Sequence, residues 1–201
     1  MKISVVIPYY ESDEGKPAIL KRETDSLKGH DEIVIVWNDK MGYAKSINKG
    51  LANAHGDFLV VMNDDLIMEC GDLKDLCDEK AVTSPLVNWD NHPFWGCCFC
   101  IPRWVYEKVG GLSEIYRISY FDDDDYINTL RQNKVPMHAV TTINFAHPEG
   151  GRTLHTLPDH NEFFEENKCK FIEKWGYLPN KIDEFFEIKG RLPERGEIEY
   201  D

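Results

Sequence analysis

The sequence has no long hydrophobic run and comparatively little positive charge. Apolar stretches such as Phe58–Met62 extend over about five residues, far short of the roughly 20 that a transmembrane helix requires. The amino terminus carries neither the apolar segment nor the cleavage site of a signal peptide, so we expect a cytoplasmic protein without a transmembrane segment. Acidic residues outnumber basic residues by 36 to 23, and the formal net charge of -13 disfavours nucleic acid as a partner.

The six cysteines do not complete the paired motifs of a structural zinc site. Three of them lie close together at Cys97, Cys98 and Cys100, but no second pair of similar spacing accompanies them. Cys98 and Cys100 alternate with Phe99, and this alternation is typical of a buried strand. We therefore expect reduced thiols in the protein core rather than metal or redox chemistry.

The composition and the order of elements predict one α/β domain. Hydrophobic residues make up 42% of the 201 residues and charged residues 29%, which is usual for a globular chain. In the first half, strands are predicted at 3–8, 32–37 and 58–62, with helices at 17–27 and 44–54 between them. Buried strands that alternate with helices indicate a parallel sheet covered on both faces.

The second half has shorter elements and ends in a charged segment. Strands are predicted at 81–84, 96–101 and 137–144, and helices at 73–77, 102–109, 122–133 and 159–175. Because residues after Gly176 are rich in charge, Pro and Gly, we assign 1–176 to the domain and 177–201 to an acidic carboxyl-terminal extension. The extension contains the apolar residues Phe185, Phe186 and Ile188. Whether these side chains dock on the domain or on a second copy of the chain stays open, and docking on a second copy would form a homo-oligomer.

A first acidic cluster, Asn63-Asp64-Asp65, follows the third predicted strand directly. In open α/β sheets, ligands bind beyond the carboxyl ends of the strands, so these residues are placed where a site is expected. Carboxylates at this position can hold a hard divalent cation, which prefers oxygen ligands. The same residues would also suit a polar turn that caps the next helix.

A second acidic cluster, Asp122–Asp125, opens a predicted helix. The helix dipole favours Asp in the first turn, but four consecutive carboxylates repel one another. The excess of charge favours a functional site in which one carboxylate acts as a base beside a metal ion. We expect like-charge repulsion from Asp122 and Asp125 to raise the pKa of Asp123 and so to make it a better base.

Together these segments resemble a family 2 glycosyltransferase of the GT-A fold over roughly residues 3–175. The resemblance is carried by the strands at 4–10 and 32–36, the helix at 42–51, Asn63-Asp64-Asp65 as a DxD-type motif, the acceptor-side segments at 96–101 and 109–112, the motif at 120–125, and His147. Each motif is short, and it is their order and spacing that are specific.

The resemblance implies a GT-A type, Rossmann-like and mostly parallel central sheet with helices on both faces. It implies the inverting transfer of one sugar from a nucleotide-diphosphate donor, with Mn²⁺ or Mg²⁺ bound by Asp65 and His147. Asp123 would be the general base, with Asp122 beside it. Contacts to the nucleotide sugar are implied for Pro8, Tyr10, Asn38, Lys45, Asn63, Asp64 and Arg152, and contacts to the acceptor for Trp95 and Asp125.

The resemblance also implies substrates, and it leaves two alternatives open. We expect a UDP-sugar donor and a glycan, a lipid-linked sugar or a protein side chain as acceptor. A single transfer is favoured because the pattern of processive polymer synthases is absent from the sequence. A sugar-nucleotide pyrophosphorylase and a catalytically silent nucleotide-sugar-binding module are the alternatives. The acidic loop at 10–16, with one Gly, differs from the Gly-rich basic loop of a pyrophosphorylase.

Overall fold

The computed structural model describes residues 1–10, 16–38, 41–147 and 159–198, and no helix within these ranges is long and apolar enough to cross a membrane. The described strands are β1 (Ile3–Tyr9), β2 (Glu32–Trp37), β3 (Phe58–Met62), β4 (Ile67–Cys70), β5 (Val82–Val87), β6 (Cys98–Pro102) and β7 (Met137–Ala146). The described α-helices are α1 (Lys16–Ser26), α2 (Tyr43–Asn53), α3 (Arg103–Val109), α4 (Asp122–Gln132), α5 (His160–Trp175) and α6 (Pro179–Lys189), and a short 3₁₀ helix covers Leu73–Leu76.

The strands form one mixed sheet in the order β2-β1-β3-β6-β5-β7-β4. Parallel pairs join β1 to β2 and β3, and β5 to β7, whereas β6 is antiparallel to β3 and β5, and β4 is antiparallel to β7. Five strands therefore share one direction, and the predicted mostly parallel α/β sheet is confirmed. Strand β6 runs the opposite way because the connection from β5, residues 88–97, contains no crossover helix. Strand β4 was not predicted from the sequence.

Alternate residues of the central strands enter two separate cores. Val6 and Val61 face one core together with the apolar sides of α2, α3 and α4. Val5 and Val60 face the other, which also contains Leu73 and Leu76 of the 3₁₀ helix and Met68 of β4. Each fully buried aliphatic side chain contributes roughly 1.5–3 kcal/mol. A Cβ at Gly50 would lie 2.2 Å from Val6 Cγ1, so glycine lets α2 approach β1 closely.

A third apolar cluster joins the carboxyl-terminal helices to the start of α4. Its buried members are Tyr116, Phe121, Phe171, Tyr177 and Ile182. Because Tyr177 and Ile182 are only 2% and 1% exposed, the segment expected to be an extension packs on the body of the same chain. The predicted boundary at residue 176 falls inside this cluster. Because the segment has many charged residues, its two buried apolar positions, Tyr177 and Ile182, were not predicted from the sequence.

Candidate active site

A cavity of about 1050 Å³ opens at the carboxyl ends of β1, β2 and β3. Its other walls come from the amino-terminal end of α2, the segment 114–121, the first turn of α4 and one side of α5. Its volume lies just above the range of about 300–1000 Å³ that ligand pockets usually have. Nine residues predicted for the site line this cavity: Pro8, Tyr10, Asn38, Lys45, Asn63, Asp64, Asp65, Asp122 and Asp123.

Strand ends and α2 place polar groups along one side of the cavity. Asp64 Oδ2 accepts a hydrogen bond from the backbone N–H of Tyr10 at 2.9 Å, which ties the end of β3 to the end of β1. Asn38 Oδ1 accepts one from the N–H of Gly42 at 3.1 Å, just before α2. Lys45 is exposed in the first turn of α2 and lines the cavity. A lysine beside a helix amino terminus suits the binding of an anion such as a diphosphate.

Asp65 and His147 form a buried pair next to these strand ends. His147 Nε2 lies 3.3 Å from Asp65 Oδ1, and the side chains are 18% and 5% exposed. The two atoms do not form an aligned hydrogen bond, and neither has another partner among the described residues. Two buried ligand atoms that face each other without partners fit a divalent cation. The described ranges contain no group of three His, Cys, Asp or Glu side chains that could hold a metal.

Asn88 fixes the backbone of His147. Its Nδ2 donates to the His147 carbonyl at 2.8 Å, and its Oδ1 accepts from the His147 N–H at 2.9 Å. Asn88 has a left-handed φ of 52°, which Asn tolerates better than most residues. The sequence offered no signal for this contact, because the turn that carries Asn88 meets the end of β7 only in the folded chain.

Asp123 lies in the first turn of α4 against the backbone of Gly96. A Cβ at Gly96 would come within 2.5 Å of Asp123 Oδ2, so a glycine is needed for the carboxylate to occupy this position. Asp123 Oδ1 accepts a hydrogen bond from the Asp124 N–H at 3.0 Å. The Tyr43 hydroxyl donates to the Gly96 carbonyl at 2.7 Å and holds this peptide from the side of α2.

The chain enters α4 through left-handed backbone. The φ angles are 65° at Ile118, 81° at Tyr120 and 66° at Phe121. Such conformations cost a non-glycine residue about 1–3 kcal/mol, and a β-branched residue such as Ile118 seldom adopts them. The N–H of Tyr43 donates to the Ile118 carbonyl at 2.6 Å and supports this conformation. Strain of this kind concentrates at functional sites, and the strained residues line the cavity.

Burial changes the acid–base behaviour of three neighbouring aspartates. Removal from water, together with the charge of Asp123, raises the pKa of Asp122 from 3.8 to about 8. Removal from water is also the largest cause of the raised pKa of Asp124, which is about 7, and of the raised pKa of Asp123. The pKa of Asp123 is raised as expected, but the expected cause is wrong, because removal from water and not repulsion by Asp122 and Asp125 raises it. A raised pKa makes a carboxylate a better proton acceptor near neutral pH.

Three of the predicted residues that the structure describes, His147, Asp125 and Trp95, do not line the cavity. The His147 side chain is not part of the cavity wall, although its Nε2 lies 3.3 Å from Asp65 Oδ1. Asp125 is 1% exposed and its carboxylate accepts hydrogen bonds from α5, so its position does not support the predicted acceptor contact. Trp95 packs against His92, with ring centroids 5.2 Å apart, and is likewise absent from the wall. Arg152 lies outside the described residues.

Several residues of the cavity wall carry no functional signal in the sequence. Phe163 and Phe164 of α5 both line the cavity, and Phe164 is 37% exposed. Arg117 and Lys170 also line it, and both approach the carboxylate of Glu166, at 3.5 and 2.6 Å. Only the contact between the segment 114–121 and α5 brings these side chains to one surface.

Comparison with known families agrees with this geometry. The family model described as "Glycosyl transferase family 2" matches residues 10–94, which include the ends of β2 and β3 and the cluster Asn63-Asp64-Asp65. No curated protein sequence matches the chain. The resemblance to a family 2 glycosyltransferase of the GT-A fold is confirmed by this match together with the structural neighbours below.

Solved structures of glycosyltransferases share the fold at low sequence identity. A mutant of Drosophila beta-1,4-galactosyltransferase 7, in complex with manganese, UDP-Gal and xylobiose, is similar with a TM-score of 0.58 at 14% identity, over 81% of this chain and 79% of that chain. GalNAc-T7 with UDP, GalNAc and Mn²⁺ has a TM-score of 0.64 at 12% identity, over 87% of this chain and 48% of that chain. The catalytic domain of the Drosophila enzyme with xylobiose has a TM-score of 0.53 at 17% identity, over 77% and 72%.

Proposed function

We propose that the protein is a metal-dependent inverting glycosyltransferase that moves one sugar from a UDP-sugar to an acceptor hydroxyl. The observation that carries the proposal is that one cavity unites Asn63-Asp64-Asp65, at the end of β3, with Asp123, in the first turn of α4. The family match and the fold support it. Two of the structural neighbours contain Mn²⁺ with UDP or UDP-Gal, which favours a uridine nucleotide and manganese here.

The donor would lie along the strand ends. Its diphosphate would approach Lys45 and the amino terminus of α2, while Asp65 Oδ1 and His147 Nε2 would hold Mn²⁺ or Mg²⁺. A bound divalent cation supplies Lewis-acid stabilisation of the negative charge that develops on the leaving diphosphate. Pro8, Tyr10 and Asn38 would contact the nucleoside, since they lie at the ends of β1 and β2 on the same wall.

Asp123 would remove the proton of the acceptor hydroxyl. As the proton moves to the carboxylate, the hydroxyl oxygen forms a bond to the anomeric carbon. The bond from that carbon to the diphosphate oxygen breaks on the opposite face, and its electron pair leaves with the nucleoside diphosphate. One displacement of this kind inverts the anomeric configuration. Burial raises the pKa of Asp122 as well as that of Asp123, and Asp123 is the carboxylate that we assign as the acceptor of the proton.

The acceptor would enter between the segment 114–121 and α5. Tyr120 and Phe164 contact each other edge to face with ring centroids 5.6 Å apart, and both border the cavity. Aromatic surfaces of this kind suit the apolar face of a sugar ring. A glycan acceptor is therefore favoured over a bare protein side chain, and a lipid-linked sugar would present the same ring.

A binding screen tests the donor and metal assignments. Thermal unfolding is followed with UDP, GDP, CDP, ADP and their sugars, each with Mn²⁺, with Mg²⁺ or with EDTA. A ligand at 100 times its Kd adds about 2.7 kcal/mol, which corresponds to roughly 5–11 °C in Tm for a chain of this size. The stabilisation should require the cation and should be lost in Asp65→Ala, with Glu107→Gln, an exposed carboxylate on α3, as the matched control. Equal affinity of Asp65→Ala with Mn²⁺ present would refute the metal site.

A turnover assay separates the proposal from its alternatives. The stabilising nucleotide sugar is incubated with a panel of sugar acceptors, and released nucleoside diphosphate and glycosylated product are measured. Product with inverted anomeric configuration supports the proposal. Pyrophosphate formed from a nucleoside triphosphate and a sugar phosphate would identify a pyrophosphorylase instead. Binding without any product from the panel would favour the silent module.

A further inference from the structure

Asp125 is the most deeply buried of the four consecutive aspartates and is bound at both carboxylate oxygens. Its Oδ1 accepts hydrogen bonds from Trp175 Nε1 at 2.5 Å and from the Tyr116 hydroxyl at 3.1 Å. Lys174 Nζ donates to its Oδ2 at 2.8 Å. A carboxylate that is 1% exposed is tolerated in a protein interior when it is paired with a cation and hydrogen-bonded in this way.

The partners of Asp125 belong to two elements that build the cavity wall. Lys174 and Trp175 form the last turn of α5, and Tyr116 lies in the segment 114–121. Phe121, which lies directly before α4, packs on α5, with its ring centroid 5.5 Å from that of Phe171. Polar and apolar contacts thus hold the first turn of α4 against α5, directly after the left-handed backbone at Tyr120 and Phe121.

We propose that Asp125 is a positioning residue, which ties the first turn of α4 to α5 and so holds Asp123 in the cavity. The two side chains lie two residues apart, and at about 100° per residue they leave the helix on nearly opposite sides. A turn that lost its hold on α5 would rotate or shift, and Asp123 would lose its place against Gly96. This inference rests on the role proposed above for Asp123 as the base.

Two substitutions in α5 weaken the contact without touching the cavity wall. Trp175→Phe removes one N–H donor and keeps the charge, whereas Lys174→Met removes the cation. Lys174→Arg restores a cation and serves as the conservative rescue. The matched control is Arg131→Met, because Arg131 ties the other end of α4 to Asp183 of α6 by an ion pair of 2.5 Å.

The first readout separates kcat from donor binding. With a donor and acceptor that the wild type uses, Trp175→Phe and Lys174→Met should lower kcat by about tenfold or more, since small misplacements of a catalytic group have large effects. The Kd of the donor should stay within about twofold. Lys174→Arg should recover most of kcat, and Arg131→Met should keep kcat although its Tm falls. Unchanged kcat in both α5 variants, or an equal loss in Arg131→Met, would overturn the inference.

The second readout does not need turnover. Carbon-13 NMR of aspartate side chains gives the pKa of Asp123 in the wild type and in Trp175→Phe, which carry the same charge. If the turn loosens, Asp123 gains water and its raised pKa should fall toward 3.8. An unchanged pKa of Asp123 would overturn the inference. If the wild type transfers sugar from no nucleotide sugar, the proposed function fails, while this titration still decides the positioning role.

Discussion

Replacement of Asp122 by Asn should change how the stability of the protein depends on pH. Asp122 is 4% exposed, and burial raises its pKa from 3.8 to about 8. Between these two values the unfolded chain has lost the proton while the folded chain still holds it. Because the folded state then binds more protons, the free energy of unfolding falls as pH rises through this window. Asn has the same shape, stays neutral, and removes this contribution.

The magnitude follows from the size of the pKa shift. A difference of one pKa unit is worth about 1.36 kcal/mol, so the full effect of Asp122 is on the order of 5 kcal/mol above pH 8. About 1–2 kcal/mol of it is already present at pH 5. The free energy of unfolding of Asp122→Asn, relative to the wild type, should therefore increase by about 2–4 kcal/mol between pH 5 and pH 8.5. For a chain of this length that corresponds to roughly 5–15 °C in Tm.

Urea unfolding at pH 5, 7 and 8.5, with EDTA and without nucleotide, measures this difference. Glu107→Gln on α3 is the control, since it removes a carboxylate that is exposed to solvent. Its stability relative to the wild type should change little with pH. If the curves of Asp122→Asn and the wild type run parallel over the whole range, Asp122 is not a buried acid with a raised pKa, and the account of the cluster is wrong.

Three further outcomes are expected. Asp123→Asn should lower kcat by about 10²- to 10⁴-fold and leave nucleotide and metal binding intact, whereas sugar transfer within about threefold of wild type would move the base role to Asp122. Gly96→Ala should lower kcat by up to about 10²-fold, because the new Cβ would displace Asp123 Oδ2; calorimetry should show an unchanged nucleotide Kd, and wild-type kcat would contradict the close packing. A chain that ends at Gly176 loses the buried side chains of Tyr177 and Ile182, each worth roughly 2–5 kcal/mol, and should unfold at a clearly lower urea concentration while its folded fraction still binds nucleotide. A midpoint equal to that of the full chain would show that the third apolar cluster contributes nothing.

The central sheet and the part of the site at its strand ends could be predicted because their sequence signals are local. Strand β2 and strand β3 have the predicted bounds, since a short apolar run between turn residues leaves few alternatives. Asn63-Asp64-Asp65 reaches the cavity because the end of a parallel strand is where such sheets bind ligands. The segment after Gly176 was predicted less well, because a helix with many charges buries only a few side chains.

The four consecutive aspartates show what depended on tertiary structure. The sequence placed Asp122–Asp125 at the start of a helix, and α4 begins at Asp122. It did not show which side of that turn faces the cavity, and so Asp125 was predicted as an acceptor contact. Successive residues of a helix diverge by about 100°, so Asp123 and Asp125 must point to different surroundings. The packing of α5 against α4, through Lys174 and Trp175, decides that Asp125 is buried and that Asp123 faces the cavity.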